Sequence, residues 1–261
     1  MLLWLVAVGF FMQTLDATIV NTALPAMAQS LNTSPLHMQT VLVAYSLTMA
    51  MLIPISGWMA DRFGTRRVYM GAILVFVLGS LLCGLAATVV VARIVQGAGG
   101  ALLLPVGRLA VLRGYPRERF LAAMSFVAIP GLIGPLLGPA LGGWLVQFAS
   151  WHWVFFINVP VGLVGWLVAQ KFLPDFRGSN VQRLDAAGYA LLALGMMFVS
   201  LSVDGFAGFG WSLGMIAAVM LTGIGCLAAY WQRAAQQEHP LFAPSLFAVP
   251  TVSIGLLGNL F

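Results

Sequence analysis

Apolar stretches of roughly twenty residues recur along the chain, separated by short polar breaks. A helix needs about 20 apolar residues to cross the hydrocarbon core of a bilayer. The pattern predicts eight membrane-spanning helices, over Leu3–Leu24, Gln39–Ala60, Val68–Ala87, Val89–Leu112, Phe120–Gln147, Trp153–Leu173, Ala186–Val203 and Leu213–Trp231. A ninth stretch begins near Thr251, and the sequence stops at Phe261. Backbone N–H and C=O groups in lipid need partners inside their own segment, so helices are the expected form. Trp58, Trp151, Trp153, Trp211 and Trp231 fall at or near the predicted ends, where an indole sits well at the interface. The third and fourth spans share one long apolar run, so a very tight turn is expected near Ala86-Ala87-Thr88. Pro240, Pro244 and Pro250 limit regular helix between Arg233 and Pro250, which reads as a linker.

The breaks differ in charge. Arg62, Arg66 and Arg67 follow the second stretch, and Arg113, Arg117 and Arg119 follow the fourth. Lys171, Arg177 and Arg183 follow the sixth, and Arg233 follows the eighth. The intervening breaks carry no Lys or Arg. This alternation is the positive-inside pattern of a multi-spanning membrane protein with a cytoplasmic N-terminus. It puts Ser34 and Thr65 on opposite faces of the membrane.

Composition agrees. Hydrophobic residues make up 61% of the 261 and charged residues only 7%, whereas soluble domains carry about 25% charged. Mean hydropathy is +0.99. The net charge of +5 sits mainly in the expected cytoplasmic loops, with no basic patch interleaved with aromatics. It therefore points to the anionic headgroups of a lipid bilayer and not to nucleic acid. Cys83 and Cys226 both lie in apolar stretches without metal-binding spacing. Ala26-Met27-Ala28 mimics a signal-peptidase site, but no basic region precedes it and Asp16 interrupts the apolar run, so this segment reads as a first transmembrane helix. No Ser/His pair, HExxH motif or paired intramembrane aspartates favour an enzyme, and no cofactor or metal is expected.

Two charged residues fall where charge is costly. Asp16 lies deep in the first predicted helix, and a carboxylate at such depth costs about 2.5–3.5 kcal/mol or more. Desolvation favours its neutral form and a nearby cation its charged form, so a carboxyl group poised between them can take up and release a proton. Arg93, one to two turns into the fourth helix, cannot lose its charge and needs water or a partner, with Asp16 the obvious one. Gln13, Thr14, Thr18, Asn21 and Gln96 are candidates to line the same polar cavity. Asp61 can accept hydrogen bonds from a helix N-terminus or pair with Arg62 or Arg66, and Gly64 permits a tight turn. Gly131, Gly134, Gly138 and Gly142 recur at intervals of three and four, which makes one smooth helix face. Pro135 and Pro139 invite a kink there. Asp204, at the outer end of the seventh span, reads as an interfacial cap, and the three histidines read as non-catalytic.

These residues carry a family resemblance. Leu15-Asp16-Ala17-Thr18-Ile19-Val20-Asn21-Thr22-Ala23-Leu24-Pro25 resembles the first-helix motif of the major facilitator superfamily, in its 14-helix drug:proton antiporter branch. Gly57-Trp58-Met59-Ala60-Asp61-Arg62-Phe63-Gly64-Thr65-Arg66-Arg67 is similar to the signature loop between helices two and three, which in the family latches the two halves on the cytoplasmic side. Arg93 with Gln96-Gly97-Ala98-Gly99-Gly100 resembles the fourth-helix motif, whose arginine is associated with proton coupling. The segment Gly131 to Gly143, which includes Gly142-Gly143, is similar to the antiporter motif of the fifth helix. Ser150 to Pro160 also has the branch's look.

The resemblance implies an all-α polytopic membrane protein: a six-helix N-terminal half over 1–173, built as two inverted three-helix repeats, then two extra helices over 174–232. A cytoplasmic linker over 233–250 and the start of a ninth helix follow. It implies proton-driven export of small, lipophilic or cationic compounds across the bacterial inner membrane, with Asp16 as coupling acid and Arg93 as its electrostatic partner. The implied partners are a small-molecule substrate, a proton and a C-terminal transporter half. The alternative is a truncated membrane fragment that does not transport. Without the second half, Asp16, Arg93 and the glycine face of the fifth helix are expected to face lipid or another chain, which predicts instability or self-association.

Overall fold

A computed structural model describes residues 1–85, 88–179, 181, 183–207, 210–237 and 240–241. The Ala86-Ala87 part of the expected turn, most of the 233–250 linker with His239, and the ninth stretch from Thr251 lie outside the described residues. Among the described residues, eight helical spans are long and apolar enough to cross a membrane. They match the eight predicted stretches in order.

The first span is α1, Leu2–Ser30. It continues past the predicted end at Leu24, with Pro25 inside it. Proline removes one N–H and crowds the carbonyl four residues back, which membrane helices tolerate when neighbouring groups absorb the change. The second span has two parts, α2 (Pro35–Leu52) and α3 (Ser56–Phe63), joined by a 3-10 turn over Ile53–Ile55. Pro54 lies in that turn and accounts for the tightening. Ser34 caps α2 by accepting a hydrogen bond from the His37 backbone N–H. Gly64, at φ +94°, ends α3 in a conformation that side chains rarely adopt.

The third to fifth spans are α4 (Thr65–Leu85), α5 (Val89–Gly114) and α6 (Arg117–Phe148). The sixth comprises α7 (Trp153–Phe156) and α8 (Asn158–Phe172), followed by α9 (Ala186–Ala207) and α10 (Leu213–Ala235). Helix α1 packs against α6 and α5, α4 against α5 and α8, and α9 against α10 and α2.

The interior has three layers. One apolar cluster includes Leu5, Val6, Met12, Tyr69, Phe76, Val106 and Leu173. A second, nearer the opposite end, includes Ile19, Met27, Met38, Cys83, Val89 and Phe155. Between them, at the height of Asp16, Ser80, Arg93, Gln96 and Asn158, the buried side chains are polar. Outward-facing residues such as Leu121, Leu132, Leu136 and Leu221 are strongly exposed and apolar, as a lipid-facing surface requires.

Helix α6 presents Gly131, Gly134, Gly138 and Gly142 to α1, where Phe10, Thr14, Thr18 and Thr22 meet them in turn. The three threonine hydroxyls bond back to carbonyls of α1 itself, so they approach α6 without leaving a donor unpaired. Pro135 and Pro139 lie on the exposed side of an unbroken helix. Gly143 is exposed and does not belong to the face. The glycine face is therefore covered by the chain's own first helix. The expectation that it would be left to lipid is corrected, and with it one ground for predicted instability.

A Cβ at Gly134 would fall 2.8 Å from the Leu15 backbone nitrogen, and one at Gly142 would fall 2.8 Å from the Ile19 carbonyl oxygen. Backbone cannot swing aside as a side chain does, so overpacking here should cost about 1–3 kcal/mol. Gly134→Ala and Gly142→Ala are expected to lower the thermal stability of the detergent-solubilised protein, followed by fluorescence-detected size exclusion. Gly143→Ala, with nothing within 4 Å of the added carbon, should be neutral. Equal behaviour of all three variants would rule out tight α1–α6 packing.

Candidate functional site

The polar layer converges on one carboxylate. Arg93 Nη1 donates to Asp16 Oδ2 at 2.7 Å. Gln96 Nε2 donates to Asp16 Oδ1 at 2.8 Å, and Asn158 Nδ2 donates to the same oxygen at 2.7 Å. Asp16, Arg93, Gln96 and Asn158 are 0%, 1%, 0% and 2% exposed. Four helical segments thus meet through side chains: α1, α5 and the start of α8, with Ser80 of α4 accepting from Gln96 at 2.6 Å. Gln96 Oε1 accepts from Arg93 at 2.7 Å, so this amide joins both charged partners. The Arg93 guanidinium also lies over the Tyr45 ring, 4.1 Å from its centroid, a cation–π contact strengthened by desolvation. Local structure explains the register. Arg93 and Gln96 are three residues apart and share one face of α5. Asn158 opens α8 where the α7 turn ends, and its amide points inward to Asp16.

Arg93 does not extend to the interface. Nor do Asp16 and Arg93 face lipid or await another chain, because this chain supplies the partners of both. That corrects the second ground for predicted instability.

A cleft of about 760 Å³ adjoins the network. Its walls include Asn21 of α1, Tyr45 and Met49 of α2, Arg93, and Met196 and Asp204 of α9. Of the predicted cavity residues, Asn21 lines this cleft and Gln96 joins the buried network behind it. Gln13 is buried, with its amide 4.0 Å from the Met49 sulfur. Thr14 and Thr18 lie on the α6-facing side of α1 and do not line the cleft. The reason is angular: Thr14 and Thr18 share a stripe at i, i+4, while Asp16 and Ala17 occupy a different side of the same helix.

The loop expected to latch the halves is tied within this chain. Asp61 pairs with Arg113 at 2.6 Å, and not with Arg62 or Arg66 as expected. The start of α4 reverses direction at Gly64, and α5 returns its end to the same level, so a distant residue is the nearer partner. Both groups are part-exposed, so the pair contributes modestly. Arg66 Nε donates to the Leu173 carbonyl at 2.6 Å, and Thr65 Oγ1 donates to the Pro174 carbonyl at 3.0 Å. The Phe176 N–H donates to Thr65 Oγ1 at 2.9 Å. A Cβ at Gly64 would collide with the Asp175 carboxylate. Gly57 is exposed beside Asp61 in a second cleft, and Arg62 and Arg67 are exposed. Nearby, Asp185 accepts from Arg233 through both oxygens, and this holds its carboxyl down at about 2. With its folded value depressed, that pair's small stabilisation is present above the ordinary carboxylate range and is lost as pH falls through about 2.

Three participants escaped the sequence reading. Asn158 stood inside a quoted motif without a role, although a lone amide in an apolar run was a usable signal. Ser80 and Tyr45 gave none, being common residues of membrane helices. Asp204 lies in the last turn of α9, where it also lines the cleft wall.

Comparison with known proteins accords with this arrangement. The model of the Major Facilitator Superfamily matches residues 6–188. A Serratia proteamaculans (strain 568) protein, provisionally named multidrug resistance protein MdtD, is 51% identical over 99% of this chain and 54% of its own length. The protein of the same name from Escherichia coli O81 (strain ED1a) is 50% identical over 98% of this chain and 55% of its own length. The chain thus spans about half the length of these curated relatives. Among solved structures, a peptide transporter POT in complex with sulfate superposes with a TM-score of 0.65 at 20% identity, over 91% of this chain and 53% of that one. A bacterial homolog of the human lysosomal transporter Spinster, inward-facing and occupied, gives 0.56 at 19% identity, over 98% of this chain and 64% of that one. These two likenesses concern fold alone. With more than half of its length matched by the family model, and with eight apolar spans in the matching order, this multi-pass membrane chain belongs to the major facilitator superfamily.

Proposed function

We propose that this chain is the N-terminal portion of a proton-driven antiporter that exports small lipophilic or cationic compounds from the bacterial cytoplasm across the inner membrane. The carrying observation is the fully buried Asp16–Arg93 pair at the wall of a cleft. Residues 1–173 form the six-helix half in this reading, as two inverted three-helix repeats, and 174–232 supply two further helices. The remaining length carried by the relatives supplies the second body against which this one rocks. The names of those relatives support drug export, and the role is transport and not enzymatic catalysis.

The mechanism follows from charge. With Asp16 ionised, the pair is neutral overall and the cleft beside it tolerates a cation. A proton arriving on Asp16 removes the counter-charge of Arg93, which cannot itself deprotonate. The uncompensated guanidinium then repels a cation in the adjoining cleft. Proton and substrate therefore exclude each other, and alternating exposure converts that exclusion into exchange. Gln96 and Asn158 hold the carboxylate in place through the cycle. Exposed Arg62 and Arg67, with the loop anchored by Asp61 and Gly64, sit at the cytoplasmic gate. Gly131, Gly134, Gly138 and Gly142 let α6 and α1 move as one rigid unit.

In the complete transporter, Asp16→Asn is expected to abolish efflux driven by a pH gradient while substrate counterflow persists, both normalised to membrane-inserted protein. Wild-type pH-driven efflux in that variant would remove Asp16 from coupling.

Orientation is tested separately. Thr65 is buried, so Arg67 is the informative cytoplasmic position. With Cys83 and Cys226 replaced by alanine, Ser34→Cys should react with an impermeant maleimide on intact spheroplasts. Arg67→Cys should react only after permeabilisation. Labelling of both from outside would refute a cytoplasmic N-terminus.

A further inference from the structure

Helix α9 belongs to the pair added after the six-helix half, and a connecting role would leave it clear of the cleft. Instead it closes one side. It contributes Met196 near mid-height and Asp204 eighteen residues beyond its start at Ala186, about 27 Å along the helix. Asp204 faces α2, which supplies Gln39 at the same end of the cleft and Met49 further along, with Ile53 in the turn that follows. From Gln39 to Ala50 the cleft follows α2 for about 17 Å.

The charges around this cleft do not cancel. Arg93 and Asp204 are its two charged wall residues among the described residues. Arg93 is neutralised by Asp16 at 2.7 Å. Asp204 has no hydrogen-bond or ion-pair partner among the described residues, and it is partly withdrawn from solvent. The cleft therefore carries one uncompensated negative charge at one end and a largely apolar length bounded by Met49, Met196 and Ile53. Methionines adapt their shape to varied ligands. A volume of about 760 Å³ lies inside the range of roughly 300–1,000 Å³ typical of drug-sized sites.

We infer that α9 is a wall of the ligand cleft and that Asp204 is its cation-recognising group, taking the positive centre of an amphipathic monocation while the α2 and α9 methionines take its apolar body. The inference deepens the efflux reading, because it rests on this cleft being the substrate site. It gives the extra helix a part in specificity and gives the two acids separate roles: Asp16 carries the proton and Asp204 reads the ligand's charge.

The test is binding and not turnover. Tetraphenylphosphonium is titrated by equilibrium dialysis against the purified chain in lipid nanodiscs, with neutral triphenylphosphine oxide as the matched probe. Asp204→Asn should weaken tetraphenylphosphonium binding at least about tenfold, as loss of a part-desolvated charge partner does. It should leave the neutral probe within about twofold. Asp204→Glu should restore most of the cation affinity, which also shows that the position tolerates substitution. Equal binding of the cation by wild type and Asp204→Asn would overturn the inference. An equal fall for both probes would do so too, since it would mark a structural role. Should pH-driven efflux fail in the complete transporter while Asp204-dependent cation binding persists, the antiport reading falls and the cation site stands.

Discussion

A guanidinium that cannot lose its proton is enclosed within the helix bundle, and the rest of the architecture answers to that fact. Arg93 is 1% exposed, and taking such a charge out of water costs several kcal/mol unless an opposite charge and good hydrogen bonds meet it. Asp16 supplies the charge. Gln96 and Asn158 complete the carboxylate's shell, and Tyr45 covers the guanidinium face. The pair thereby fixes the relative heights of α1, α2, α5 and α8. Two apolar clusters above and below seal the layer from water.

Such a layer requires close helix approach, and small residues provide it. On α6 the glycines receive the threonine stripe of α1, while on α5 Gly97, Gly99 and Gly100 admit the backbones and rings of α2 and α4. In lipid no hydrophobic force drives helices together, so packing of small residues and buried polar contacts must hold the bundle. The same arrangement leaves the buried pair against the cleft wall, and under the proposed antiport a single proton there would alter the electrostatics of the ligand site.

Much of this was legible in the residues. Length and apolarity gave the spans, because the bilayer imposes one length scale. The cost of buried charge singled out Asp16 and Arg93. The threefold and fourfold glycine spacing marked a packing face. Its partner stayed hidden, because spacing shows which side of a helix is smooth and not which neighbour uses it. For the same reason Thr14 and Thr18 were assigned to the cavity although they serve that face. Asp61 was matched to arginines near in sequence, whereas the fold returns Arg113 to its level. Asp204 was placed near the end of its helix but not on the cleft, because nothing local reveals that α9 packs against α2.

The proposed exchange depends on Asp16 and Arg93 acting as one buried unit, and a double-mutant cycle on the purified protein in mild detergent tests that most directly. Thermal unfolding is compared for wild type, Asp16→Asn, Arg93→Gln and the double variant. Breaking a buried pair from one side costs about 3–5 kcal/mol because the survivor keeps an uncompensated charge. Asp16→Asn should be the worse single change, since a carboxylate can take up a proton and a guanidinium cannot. The double variant should recover most of the loss. Additive losses, or single variants as stable as wild type, would contradict a buried ion pair at the centre of this fold.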